Sequence, residues 1–255
     1  MNLNTLTHFL QKIFPRWIYL RLRPLAAVLL EYCNWKVEVL RIVDIDVKVY
    51  ADFYFPNSEL IEEIQGYFHH YVPKSGDTVI DAGAYSGIFT IVAAKLVGKN
   101  GKVIAYEPDP FNRRRLRRNI LLNDLKNVVV RPFGLYSRNT ILLFEVRQVA
   151  SRIAENLERP IQVQMKSLDA EMKSLGLSKV HMVKMDIEGA EIEALKGASR
   201  MIRKSQQTLH WAIASYHIVN RKPTSLWLEK FFSKTKFSAV VTGNLRHKTT
   251  YAWMK

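Results

Sequence analysis

From residue 78 onward, short runs rich in β-branched residues alternate with stretches of helical spacing. That alternation admits few folds. Strands joined by helical crossovers lie parallel, and helices on both faces are what bury such a sheet. The strand patterns cover residues 78–83, 102–108, 127–134, 179–186 and 208–217. Helix patterns cover 87–97, 110–123 and 189–204, with a further helix near 226–232. "TILLFEV" and "IQVQMKSL" read as an added antiparallel pair, and "FSAVVTG" with "TTYAWMK" as a terminal hairpin. The expected fold is α/β, with a doubly wound, mostly parallel sheet. Ligands of such sheets sit beyond the carboxyl ends of the strands, where the strand order reverses.

The first strand–turn–helix reads "TVIDAGAYSGIFT" over residues 78–90. A dinucleotide-binding turn would show G-x-G-x-x-G, which brings bare backbone to a pyrophosphate. This turn is D-x-G-x-x-x-G. Asp81 at the strand tip repels a diphosphate and suits an ammonium. Gly83 lets backbone pass close to a ligand, and Gly87 lets the helix pack tightly. The second strand ends "AYEPDP", and its Glu107 lies 24 residues beyond Gly83, where an acid accepts both hydroxyls of a ribose. A ligand with a cationic amino-acid end, a ribose and no phosphate is S-adenosylmethionine. The bland alternative is a generic α/β turn followed by a surface glutamate.

Six segments, "VIDAGAYSGIFT", "AYEPDP", "NILLNDLKNVVV", "SLDAEM", "VKMDIEGAEIEALKGA" and "IASYH", together resemble the FkbM family of methyltransferases. The likeness runs from about residue 76 to 217, and the K-x-D-x-E-G-A-E segment is its most specific part. The resemblance implies a class I methyltransferase (Rossmann-like) fold, with a mostly parallel seven-stranded sheet. It also implies S-adenosyl-L-methionine as cofactor and methyl transfer to oxygen of sugars, polyketides or glycolipids. By position in these motifs, the expected cofactor residues are Asp81, Gly83, Ala84, Tyr85, Gly87, Glu107, Pro108, Phe133, Gly134 and Asp186. Many members carry an acid near the end of the "IASYH" strand, where this chain has Ser215 and Tyr216.

An alcohol that accepts a methyl group must lose its proton, and a positioned base contributes about 10²–10⁴-fold. Asp186, at the tip of its strand, is the first candidate. Glu188 follows on the approach to the next helix, and His217 ends a neighbouring strand with an ordinary pKa that suits a base near neutrality. Each has a plainer reading. Asp186 caps the helix near Gly189, Glu188 and Glu191 answer the helix dipole, Lys184 neutralises the acids, and His217 is a satisfied edge histidine. No metal is expected, because no third ligand at a suggestive spacing accompanies Asp186 and His217.

Residues 1–71 read as an N-terminal extension of helix, strand pair (around 40–55) and helix (58–71). "VPKSGD" marks the boundary with a cofactor-binding domain over 72–255. The lone Cys33 forms no internal disulfide, which points to a reducing, cytoplasmic setting. No stretch reaches the length of a membrane span, and "PLAAVLL" is too short for a signal peptide. The formal net charge is +15. Lys12, Arg16, Arg21 and Arg23 lie among Phe9, Leu10, Ile13, Phe14, Trp17 and Leu20, a helix that either docks on its own domain or lies on an anionic membrane. "RRRLRR" at 113–118 reads as a solvated helix face or an anion site, and Asn119 and Asn123 as structural.

The basic charge also leaves nucleic acid open as a partner. A base-amine methyltransferase would show N/D-P-P-Y/F after "VKMD", and a cytosine-C5 enzyme needs a cysteine near the motifs, so only ribose 2′-hydroxyl methylation of RNA survives. A third reading is a cofactor-binding protein without turnover. The acceptor and the oligomeric state are not legible.

Overall fold

In the computed structural model, residues 37–50, 57–145, 152–153, 160–205, 207–243 and 247–254 are described. The expected basic helix before residue 37 lies outside them. β1 (Val37–Ile42) and β2 (Ile45–Tyr50) form an antiparallel hairpin that turns through Val43 and Asp44, both at positive φ. Its buried residues, Leu40, Ile42, Val47 and Val49, alternate along each strand, as a half-buried ribbon requires. α1 (Asn57–Tyr67) ends four residues before the expected Tyr71. Phe68 and His69 donate to Gln65 and Gly66 carbonyls (3.0 Å each), a tightening of the last turn that closes the helix.

Next come β3 (Thr78–Ala82), α2 (Ile88–Val97), β4 (Lys102–Tyr106), α3 (Pro110–Leu122) and β5 (Val128–Arg131). β6 (Gly134–Leu135), β7 (Thr140–Glu145), β8 (Arg152–Ile153) and β9 (Pro160–Lys166) form a separate small sheet in which β7 and β9 pair antiparallel. The chain continues through α4 (Leu168–Ser174), β10 (Met182–Met185), α5 (Glu191–Lys196), α6 (Ser199–Ser205) and β11 (His210–Ala214). A short pair, β12 (Ile218–Val219) and β13 (Lys222–Pro223), precedes α7 (Thr224–Phe232) and the hairpin β14 (Phe237–Thr242) and β15 (Thr249–Met254).

The main sheet has seven strands in the order β14-β15-β11-β10-β3-β4-β5. β11, β10, β3, β4 and β5 are mutually parallel, and β15 is antiparallel to both its neighbours. The chain moves outward from β3 to β5 and then returns to β10, so the order reverses between β3 and β10. The helical pattern over 189–204 breaks into α5 and α6 at Gly197. A Cβ there would lie 2.4 Å from the Tyr136 carbonyl oxygen, so the chain must bend at that close approach. The periodicity carried no trace of this break because the contact is made by a distant loop.

The N-terminal elements share a core with the sheet. Leu40, Ile42, Val47, Leu60, Ile64 and Phe68 pack in one cluster with Val79, Phe89, Ile91 and Val92. Phe68 stacks on Phe89 with ring centroids 4.7 Å apart. Two asparagines of α3 pair with the edge of β2. Asn119 accepts from the Tyr50 amide (3.0 Å), and Asn123 accepts from the Lys48 amide (3.1 Å) and donates to the Lys48 carbonyl (2.6 Å). An exposed strand edge is thereby closed. The arginine run of α3 is not uniformly a solvated face. Arg113 donates to the Glu107 and Pro108 carbonyls (2.9 Å each), Arg115 donates to the Tyr85 hydroxyl (3.2 Å), and Arg118 lies over the Tyr50 ring.

Candidate active site

The site forms where β3 and β10 lie side by side. Their parallel register sets Asp81 beside Lys184 and Ala82 beside Met185. Beyond β3 the chain turns at Gly83, whose φ is +79°, and the Gly83 and Ala84 amides both donate to the Tyr106 carbonyl (3.0 Å each). A Cβ on Gly83 would fall 1.8 Å from the Asp186 carbonyl oxygen. Only glycine allows this turn to run against the tip of β10.

Asp81 is wholly buried. It accepts from Thr90 Oγ1 (2.5 Å) and lies 3.2 Å from Lys184 Nζ, which also donates to the Gly83 carbonyl (2.7 Å). Burial alone would lower the Lys184 pKa, but Asp81, then Asp186 and Glu63, hold it above the ordinary value. The ammonium partner expected for Asp81 is therefore an internal lysine. Lys184, with Tyr67 and Phe89 against its ammonium, lines the cleft in its place.

Glu107 follows β4 and is almost fully buried. Its two carboxylate oxygens accept from the Tyr85 (2.7 Å) and Asp109 (2.9 Å) amides. Asp109 in turn caps α3 through the Phe111 amide (2.8 Å). Burial raises the Glu107 pKa, partly offset by the two amides, to about 8. This has a consequence for stability. Between its ordinary value near 4.5 and about 8, the folded chain keeps a proton that the unfolded chain has released, so stability falls as pH rises through that window. Glu107→Gln, which cannot titrate, removes this part of the slope. Melting temperatures of the two proteins from pH 4.5 to 8 should converge or cross; two parallel curves would show that Glu107 is charged throughout.

A cleft of about 260 Å³ runs along these strand ends. Gly83, Ala84, Tyr85, Glu107, Pro108, Phe133, Gly134, Asp186 and Glu188 line it, among the residues singled out in the sequence. Asp81, Gly87 and His217 do not. Gly87 instead meets α3, since a Cβ there would lie 2.4 Å from Leu116 Cδ1, so it serves helix packing. A second cavity of about 320 Å³ adjoins the first and shares Glu63, Tyr67, Tyr216 and His247 with it. Sequence reasoning missed Glu63, Tyr67 and His247. Glu63 and Tyr67 sit on α1, before the family-like segments, and no local pattern marks them.

Asp186 stands just beyond β10. Its Oδ2 accepts from the Tyr67 hydroxyl (3.0 Å), while Oδ1 is buried without a hydrogen-bond donor. It does not cap a helix: α5 begins at Glu191, its N-cap is Ala190, and no side chain caps it. Glu188 precedes the helix at φ +54° rather than sitting in its first turn. Glu191 is wholly buried, and its Oε1 accepts from the Ile187 (3.0 Å) and Gly189 (3.3 Å) amides.

His217 arrives from the end of β11, next to β10. Its Nδ1 lies 2.9 Å from Glu191 Oε1, and its Nε2 lies 3.4 Å from Asp186 Oδ1 and 3.7 Å from Glu188 Oε2. Burial would lower its pKa, but Glu191, Asp186 and Glu188 raise it to about 9. A protonated imidazole accepts no proton at neutral pH, so the expected role of His217 as general base does not follow from this arrangement. The expectation of no metal rested on a missing third ligand. Glu188 stands where a third could come from: one ligand atom each from Asp186, Glu188 and His217 lies within 4.8 Å of the others.

The strand order, the reversed β15 and the cleft at the switch point define the class I S-adenosylmethionine-dependent methyltransferase fold. Two solved structures with a TM-score of 0.50, each 12% identical, share it. They are a precorrin-6y C5,15-methyltransferase from Geobacter metallireducens (81% of this chain, 93% of that one) and the fibrillarin/Nop5p complex (85% and 97%). The family model of the methyltransferase FkbM domain matches residues 81–236, and the chain belongs to that family. S-adenosylmethionine is the family's methyl donor.

Two curated relatives match part of the chain. Methyltransferase sdnD of Sordaria araneosa is 29% identical over 159 residues, covering 48% of this chain and 61% of its own length. The hexuronic acid methyltransferase AglP of Haloferax volcanii is 26% identical over 174 residues, covering 66% of each. The chain thus spans just under two thirds of either relative. No helix among the described residues is long and apolar enough to cross a membrane.

Proposed function

We propose that this chain methylates a hydroxyl oxygen of a sugar, glycolipid or similar small molecule, with S-adenosylmethionine as donor. The residues fit the donor. Glu107 keeps lone pairs beyond those its two amide partners use, enough for two ribose hydroxyls. The Gly83 turn leaves bare backbone along the cleft, and Ala84, Tyr85, Pro108, Phe133 and Gly134 supply its walls.

S-adenosylmethionine supplies a methyl group on a sulfonium, and displacement by a hydroxyl oxygen forms the C–O bond while the S–C electron pair returns to sulfur. Asp186 carries the chain's part in the chemistry. Its Oδ1, which no donor reaches in hydrogen-bond geometry although His217 Nε2 stands 3.4 Å away, accepts the hydroxyl's hydrogen bond and then its proton. Tyr67 holds Oδ2 and so fixes the direction of Oδ1. Burial first, and then the Asp186 and Glu63 charges, keep the Tyr67 phenol well above its ordinary pKa, so it stays a donor. That buried carboxylate oxygen, on a residue that lines the cleft and with no donor in hydrogen-bond geometry, is the observation on which the reading rests. The second cavity, with the carboxylates of Glu62 and Glu63 and the rings of His69, Tyr216 and Tyr251, is where the acceptor enters. Carboxylates that accept from hydroxyls, beside rings that cover C–H faces, suit a sugar. The likeness to a hexuronic acid methyltransferase supports the same class.

Sugar, lipid-linked glycan and RNA acceptors, each incubated with methyl-labelled cofactor, test the reading. Label in an O-methyl group of a sugar is the expected result, and Glu107→Ala should weaken cofactor binding by about 1.5–3 kcal/mol in calorimetry. Label found only on nitrogen or carbon would overturn it.

A further inference from the structure

We propose that Asp186, Glu188 and His217 form a binding site for one divalent cation of the magnesium or manganese class. His217 is the reason to look beyond an acidic cluster. Its side chain is 8% exposed, and its Nε2 and the facing Asp186 Oδ1 are buried atoms with no hydrogen bond. Glu191, wholly buried and held by two backbone amides, lies against Nδ1 at 2.9 Å. A carboxylate beside Nδ1 favours keeping the proton there, so a cation displaces the Nε2 proton and takes that lone pair, the usual support of a ligating histidine.

The spacing is close to what an ion needs. Donors at right angles around an ion with bonds near 2.1 Å stand about 3 Å apart, and Nε2 is 3.4 and 3.7 Å from the two acids. Charge favours a cation as well. Asp186, Glu188 and Glu191 carry more negative charge than one imidazole balances, and the neighbouring Lys184 is engaged by Asp81. Two carboxylates are hard donors and the imidazole a borderline one, so the set leans to the magnesium and manganese side through its acids. Asp186 and Glu188 line the cleft, so an ion held between them would offer its remaining coordination positions on that side. A pair of neighbouring hydroxyls on the acceptor would fill them, a role that rests on the methyl-transfer reading. Asp186 Oδ1 has a lone pair for the ion and one for a hydroxyl.

Manganese(II) titration of the chelator-treated full chain, followed by electron paramagnetic resonance, tests the site. One ion per chain should bind, and Glu188→Gln and His217→Gln should each weaken it at least about tenfold. Melting temperature should rise with manganese in the unaltered chain and not in the variants. Glu188 is the more exposed ligand, so its variant decides the matter even where His217→Gln does not fold. No binding to the unaltered chain at millimolar manganese, or affinity unchanged by Glu188→Gln, overturns the site. S-adenosylmethionine affinity and label transfer, measured on the same samples, keep the two proposals apart. A chain that transfers methyl groups without taking up manganese overturns the cation alone, whereas ligand-dependent uptake without transfer supports the cation and overturns the methyl-transfer reading.

Discussion

Asp186→Asn is expected to leave the fold and the affinity for S-adenosylmethionine near those of the unaltered chain while lowering turnover by about 10²-fold or more. The amide keeps the size of the carboxylate, and its oxygen can still accept from Tyr67 in place of Oδ2. The other position, the buried Oδ1 beside His217 Nε2, becomes an NH₂ that takes no proton from a hydroxyl. Asp186 caps no helix, so loss of a cap adds nothing to the cost. Melting temperature, calorimetric cofactor affinity and single-turnover rate on this one variant separate chemistry from scaffolding. Near-normal turnover in a folded, cofactor-competent variant would end the role of this carboxylate in proton transfer. A fall in cofactor affinity equal to the fall in rate would move Asp186 from acceptor to donor binding.

Gly83→Ala is expected to cost about 3–5 kcal/mol of stability, in the range of mutations that overlap buried backbone. Two effects add. A residue with a Cβ at φ +79° pays about 1–2 kcal/mol for the left-handed conformation. The Cβ would also stand 1.8 Å from the Asp186 carbonyl oxygen, so β3 and β10 must part at the floor of the cleft. Melting should fall by roughly 6–20 °C, given about 2–4 °C per kcal/mol for a chain of this size. Cofactor affinity should fall with it, because Ala84, Tyr85 and the Glu107 contact move with the turn. Gly176→Ala is the control. It too sits at positive φ (+63°), but a Cβ there meets nothing within 4 Å, so it pays the conformational cost alone. Equal losses in the two variants would show that the close approach at Gly83 contributes nothing.

The sheet was legible because each strand and helix is a local pattern. The β-branched run at 78–83 and the apolar helix after Gly87 are read within a few residues, and β3 and α2 appear there. The alternation then sets the parallel connections, so the place of the ligand-binding edge followed as well. Glu107 was legible for the same reason, since the residue that follows a strand is a position along the chain. The break at Gly197 was not, because the carbonyl of Tyr136 that forces it comes from a loop distant in sequence.

The sequence by itself thus determined which elements form and which residues stand at strand ends. Only the tertiary structure decided what those residues face. Asp81 reads as a bare acid, and the register of β3 beside β10 gives it Lys184 instead. His217 reads as an ordinary histidine, and the pairing of β10 with β11 surrounds it with Asp186, Glu188 and Glu191. Tyr67 carries no signal at all, yet the packing of α1 over α2 brings its hydroxyl to Asp186. The physical reason is common to all three. Strand propensity and turn chemistry act over a few residues, whereas the charge state and hydrogen-bond partners of a buried group depend on whichever distant segments the core brings within a few ångströms.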